Sequence, residues 1–207
     1  MRHRFELQNI IDDMFKRLGN QRSFVNVKIL DKSEILAGAI GLKLPNFPPI
    51  GEIFISEELI NLLSSKELEF VLAHEVMHIE LNHIPLKILT QLPKEMLKTW
   101  EKESKILQTL RIGIDSFKVL IYSLTRSIPP EAVITRDQEI QADIYAIMYL
   151  TRDKKAAISC LKKLVNNDLN RPSHLWEALD VKFPTMTMKE RIEYIEQTFA
   201  TWDNTLY

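Results

Sequence analysis

HEVMHIELNH, His74 to His83, is the stretch on which the reading of this chain turns, and within it His74, Glu75 and His78 matter most. On a helix, residues four apart lie one above the other on the same face, so His74 and His78 aim two imidazoles at one point. A metal ion can be held there. Glu75 is turned about 100° from His74 by the 3.6-residue period and stands beside that point, where a carboxylate can take a proton from water. The spacing H-E-x-x-H thus combines two ligands with a base.

The surrounding residues make this more than a chance pairing on a solvated helix. Ser64 followed by Glu67 has capping-box spacing, and Leu68, Val71, Leu72, Val76, Ile79 and Leu81 make the segment apolar on most sides. So apolar a helix is expected to be buried. Its two histidines and glutamate then enter a core, at a cost of several kcal/mol unless something such as a metal satisfies them.

Composition sets the frame. The chain has 207 residues, 45% of them hydrophobic, which suits one domain with a real core. A net charge of -1 offers no basic field for nucleic acid or anionic lipid. The single cysteine, Cys160, rules out an internal disulfide, fits a reducing cytoplasm and reads as a small packed hydrophobe. At the N-terminus, Glu6, Asp12 and Asp13 interrupt what a secretory signal would need, so an amphipathic helix is expected over residues 1–20. Ile106 to Leu124 is broken by Arg111, Asp115 and Lys118 and falls short of a membrane span, which leaves only peripheral membrane contact open.

Three short strands are expected before the motif helix. Ser23 to Leu30 alternates apolar and polar residues; Ile35 to Leu44 carries Gly38 and Gly41, which signal a bulge or the close approach of another backbone; Gly51 to Ile55 follows a Pro-rich turn. Ser56 can cap a short helix. Beyond the motif, Pro85 is expected to end or kink the helix, and Pro93 opens a long helical stretch towards Leu124 that Ser127 to Pro130 breaks. Thr135 and Gln138 offer a capping box for a helix over Arg136 to Leu150. Another helix covers Lys154 to Val165, and Thr187 with Glu190 caps a last one. The expected architecture is α+β and mostly α, with a small three-stranded sheet whose edge strand lies beside the metal helix.

Two histidines do not complete a catalytic zinc site, which takes three protein ligands and leaves a position for water. Glu139, with Asp143 one turn on, puts two carboxylates on one helix face. An isolated pair of this kind reads as exposed acid, but about sixty residues after H-E-x-x-H it reads as a ligand, Glu139, with Asp143 behind it orienting a histidine or a backbone group.

His74-Glu75-Val-Met-His78 followed by Glu139-Ile-Gln-Ala142-Asp143 resembles the gluzincin metallopeptidases grouped with the HtpX heat-shock protease and the CAAX prenyl protease, whose second motif is E-x-x-A-D. The likeness runs from about Ile35 to Arg191 and includes Arg136 at the start of the second motif helix and His83 nine residues after the first ligand. It implies a zincin-like fold in one domain over residues 1–207, with the N-terminal helix (1–20), a core holding both motifs (23–151) and C-terminal helices (152–207). It also implies one zinc per chain, Glu75 as catalytic base, and a polypeptide substrate laid along the edge strand at Ala37, Gly38, Ala39 and Ile40. Metzincins place a third histidine ligand ten residues after the first, preceded by glycine. His83 is one position off and is expected to be structural or to support a ligand.

Two departures stand out. Many members carry membrane helices and none qualifies here, so a soluble, cytoplasmic member is expected. The family also tends to carry a His-Pro with a following arginine; here Arg191 is kept and the histidine is missing, which leaves Arg191 to help the oxyanion, to position Asp143, or to be a surface residue. His174 is a weaker substitute, and His3 has no context. The leading expectation is a zinc endopeptidase acting on extended or unfolded polypeptide. The alternatives are a dedicated or latent protease for one protein, and a non-catalytic helical partner-binding domain. Oligomeric state is left open.

Overall fold

The computed structural model describes residues 2–30, 37–43, 46–83, 136–167 and 187–200. The expected helix from Pro93 to Leu124, the effect of Pro85, the cap at Thr135 and His174 lie outside them, as do the side chains of His3, Ile40 and Arg136.

Helix α1 (Arg2–Arg17) is followed by strands β1 (Phe24–Leu30), β2 (Ala37–Leu42) and β3 (Ile50–Ser56). Then come the short α2 (Glu57–Leu62) and the motif helix α3 (Ser65–Glu80). The second motif lies on α4 (Arg136–Tyr145), and α5 (Lys154–Asn166) and α6 (Met188–Thr198) complete the described chain. The architecture is mostly helical α+β with a small mixed sheet. Among the described residues its strand order is β1-β3-β2, with β1 parallel and β2 antiparallel to the central β3. No described helix is long and apolar enough to cross a membrane.

One core joins the sheet to α3. Val25, Val27, Ala39, Ile53 and Ile55 alternate onto one face and meet Leu72, Val76 and Ile79 of α3, with Ile11, Met14 and Phe15 of α1 closing the same layer. Ile147, Leu161, Ile195 and Phe199 bury the far side. The strand glycines divide as the sequence allowed. A Cβ on Gly41 would sit 2.8 Å from the Ile50 carbonyl oxygen and 3.0 Å from Ile79, whereas one on Gly38 would meet nothing within 4 Å. Gly41 is therefore a point of close approach between strand and helix.

The local signals act as expected at three helix starts. Ser64 and Glu67 form the capping box of α3, Thr187 and Glu190 that of α6, and the Ser56 hydroxyl accepts from Leu59 N–H at the head of α2. Two boundaries differ. Helix α3 stops at Glu80, ahead of Pro85, because Asn82 adopts a left-handed φ of 54°. Asn82 N–H donates to Ile79 O at 3.1 Å and His83 N–H to His78 O at 2.9 Å, the reciprocal pair of a Schellman cap. The helix expected over Arg136 to Leu150 is α-helical only to Tyr145 and then widens into a π-helical turn, Ala146–Thr151, closed by Arg152 at φ 53°. Arg17 of α1 donates to Leu150 O at 2.9 Å, satisfying a carbonyl at the end of that turn.

Candidate active site

Helix α3 carries His74, Glu75 and His78 into the interior, each less than a tenth exposed, and α4 runs beside it. Glu139 and Asp143, one turn apart on α4, meet the two histidines. Glu139 Oε2 lies 3.5 Å from His74 Nε2 and Oε1 lies 3.4 Å from His78 Nε2, while the two Nε2 atoms are 2.9 Å apart. These three residues form a group able to hold a metal ion. With ligand bonds of about 2.0–2.1 Å, the corners of a tetrahedron lie about 3.3 Å apart. The two carboxylate–imidazole separations match that spacing and the imidazole pair is a little closer, so a zinc-sized ion fits. Glu139 is a quarter exposed, which leaves the solvent side of the group open.

The supporting contacts fix which histidine nitrogens turn towards Glu139. Asp143 Oδ1 lies 2.8 Å from His74 Nδ1, so Nδ1 carries the hydrogen and Nε2 presents its lone pair. Asp143 is clamped by Arg191 of α6 through Nε to Oδ2 at 2.7 Å and Nη2 to Oδ1 at 2.6 Å. Arg191 Nη1 also reaches Glu139 Oε2 at 3.2 Å. Arg191 is 8% exposed, so it is no surface residue.

The electrostatics of these groups favour positive charge at the site. Burial opposes charge on His74, yet the Asp143 carboxylate overcomes it and raises the imidazole pKa to about 10, so with no cation bound His74 carries a second proton at neutral pH, on Nε2, which a metal ion held there would replace. Burial likewise pushes up the Glu139 and Asp143 carboxyls, and their partners outweigh it. Hydrogen bonds from His74 and His78 hold Glu139 well below the usual carboxylate range, and the Arg191 charge lowers the pKa of Asp143. For Glu75 burial outweighs the neighbouring positive charges and its pKa is raised.

His83 stands outside the ligand group. Its Nδ1 lies 3.2 Å from His78 Nδ1 and its Nε2 is 3.3 Å from Gln141 Oε1. If His83 donates from Nε2 to Gln141, its Nδ1 accepts from His78, and His78 Nε2 is left bare for the metal. Sequence reasoning missed Gln141, whose only signal was its place two residues after Glu139. It also missed Asn82, although asparagine just past a helix end was legible as a cap. The segment named for substrate, Ala37 to Ile40, lies in β2, which pairs on one side with β3 and packs its Gly41 end on α3. Cys160 is fully buried, and burial pushes its thiol up to about 12, in keeping with a packing role.

No curated protein matches the chain. Among solved structures it is similar to the crystal structure of S. mikatae Ste24p, at 20% identity and a TM-score of 0.48, with 91% of this chain and 49% of that one covered. The chain thus spans about half the length of that protein. Residues 2–199 match Peptidase family M48, a stretch that includes both motifs and the buried Arg191, and the chain accordingly belongs to that family of metallopeptidases.

Proposed function

We propose that the chain is a zinc-dependent endopeptidase with a zincin-like fold in a single domain, acting on extended or unfolded polypeptide. The observation that supports this best is the convergence of two imidazole Nε2 atoms and one carboxylate, drawn from two helices, at the spacing a tetrahedral ion requires. Under this reading His74, His78 and Glu139 hold the ion, which when bound supplies a Lewis acid and makes a water nucleophile available near neutral pH. Glu75, buried with a raised pKa, accepts the proton of the attacking water and passes it to the leaving amine. Asp143 holds the His74 tautomer. Arg191 holds Asp143, and because its guanidinium nitrogens are already engaged by protein acceptors, it acts through Asp143 and Glu139 more readily than on an oxyanion. The extended substrate adds to the edge of β2 by backbone pairing, which selects unfolded segments.

The test is metal content measured together with casein cleavage, with and without a chelator. About one zinc per chain and chelator-sensitive cleavage are expected. Glu75→Gln should keep the zinc and the fold and lose turnover by about 10²-fold or more. Cleavage by that variant at the parental rate would remove Glu75 from the base role.

A further inference from the structure

The backbone of β2 carries more information than its place beside α3. Phe24 N–H donates to Pro49 O at 2.8 Å, so Pro49 turns its carbonyl towards β1, and alternation along β3 then turns Gly51, Ile53 and Ile55 the same way. The opposite set, Ile50, Glu52 and Phe54, bonds β2 through its register partners Leu42, Ile40 and Gly38. It follows that Ala37, Ala39, Gly41 and Lys43 direct their N–H and C=O groups away from β3, to the outer edge.

At Lys43 that edge is already taken. The Asn82 side-chain Oδ1 accepts from Lys43 N–H at 2.7 Å, and its Nδ2 donates to Lys43 O at 2.7 Å, so one amide makes both bonds that a residue of a neighbouring strand would make. The other edge of the sheet is treated similarly. Gln8 of α1 accepts from Val27 N–H at 2.9 Å and donates to Val25 O at 2.8 Å, filling the outer side of β1 in mid-strand. On β2 the side-chain amide that the described residues supply sits at the end, beyond the outward groups of Ala37, Ala39 and Gly41.

The position of that plug relative to the chemistry can be read from two contacts. Gly41 lies against Ile79, and Lys43 against Asn82, so strand and helix advance in the same sense, two strand residues for three helical ones. At that pace Ala39 falls level with Val76, between Glu75 and His78. A peptide pairing antiparallel, the stronger arrangement, enters with its N-terminal side towards Asn82.

We propose that Asn82 is a specificity-determining residue: its side-chain amide ends the usable edge of β2, so a substrate pairs through Ala37, Ala39 and Gly41 and leaves the sheet about four residues on the N-terminal side of the cleaved bond. This rests on the endopeptidase reading above and adds to it a limit on substrate register.

The experiment takes a casein peptide cleaved by the zinc-loaded parent and lengthens its N-terminal side residue by residue. In the parent, kcat/KM should rise by roughly two- to tenfold per added pairing residue and then level off after about four. Asn82→Gly keeps the left-handed backbone and removes the amide; there the rise should continue past the parental plateau, and Asn82→Asp, which restores the acceptor for Lys43 N–H alone, should fall between. The Kd of the same peptides for the Glu75→Gln protein, with and without Asn82→Gly, should show the same two length profiles without turnover. Cleavage with the plateau unmoved in Asn82→Gly, or with no plateau in the parent, overturns the inference and leaves the endopeptidase reading standing. No cleavage of any peptide by the zinc-loaded parent overturns both.

Discussion

On the proposed zinc reading, individual side chains at this site either meet the ion or stand behind it, and metal affinity separates the two. On the proposed reading Glu139 supplies a ligand atom, and it lies against His74, His78 and Arg191, so Glu139→Ala should lower zinc affinity by well over 10-fold in chelator competition. His83 reaches the outer nitrogen of His78, so His83→Ala should lower affinity by less than Glu139→Ala in the same titration. The opposite order would move the third ligand to His83. The pair His74, His78 and the acid that serves them were legible in the sequence, because i, i+4 spacing on a helix is a local matter. The fate of Arg191 was not. Its burial against Asp143 brings together residues 48 positions apart, and an arginine on an amphipathic helix looks the same in sequence whether it faces water or a carboxylate.

At the scale of elements, two contacts hold α3 in place. Gly41 lets β2 lie directly on the last turn of α3. Gly41→Ala should force a Cβ against the Ile50 carbonyl and Ile79 and cost about 1–3 kcal/mol in denaturant unfolding, while Gly38→Ala, with open space, should cost less. At the other end, Glu67 accepts from Lys163 at 2.7 Å, from Ser159 at 2.6 Å and from Ser64 N–H at 2.7 Å, tying α3 to α5. Burial raises its pKa, but these three donors win and bring it down to about 2. A depressed folded pKa stabilises above the unfolded value near 4.5 and loses that contribution as the pH falls towards 2. Glu67→Gln should therefore be less stable than the parent at pH 7, on the order of 2 kcal/mol given the solvent around Lys163, and the gap should close between pH 5 and pH 2. The box at Ser64 was visible in the sequence; Lys163 and Ser159, on a helix about ninety residues later, were not.

Across the whole molecule, the centre is assembled from α3, α4 and α6, so metal binding and tertiary stability are linked. Ligand binding to the folded state alone contributes RT ln(1 + [L]/Kd), about 2.7 kcal/mol at a hundredfold excess over Kd. A chelator should thus lower Tm in the parent and have little effect in Glu139→Ala. Arg191→Ala should leave Asp143 buried without its cation and destabilise the fold by about 3–5 kcal/mol, with Tm lowered even in the absence of metal. Sequence alone was enough for the described helices, the caps at Ser56, Ser64 and Thr187, the three described strands and the two motifs, since periodicity, capping chemistry and side-chain spacing act over a few residues. Tertiary structure decided which side-chain amide caps each sheet edge among the described residues, what stands behind each histidine, and that Arg191 is buried. Those outcomes depend on hydrogen bonds and packing between segments far apart in the chain, such as Asn82 with Lys43 and Gln8 with Val25, and no short-range pattern encodes them.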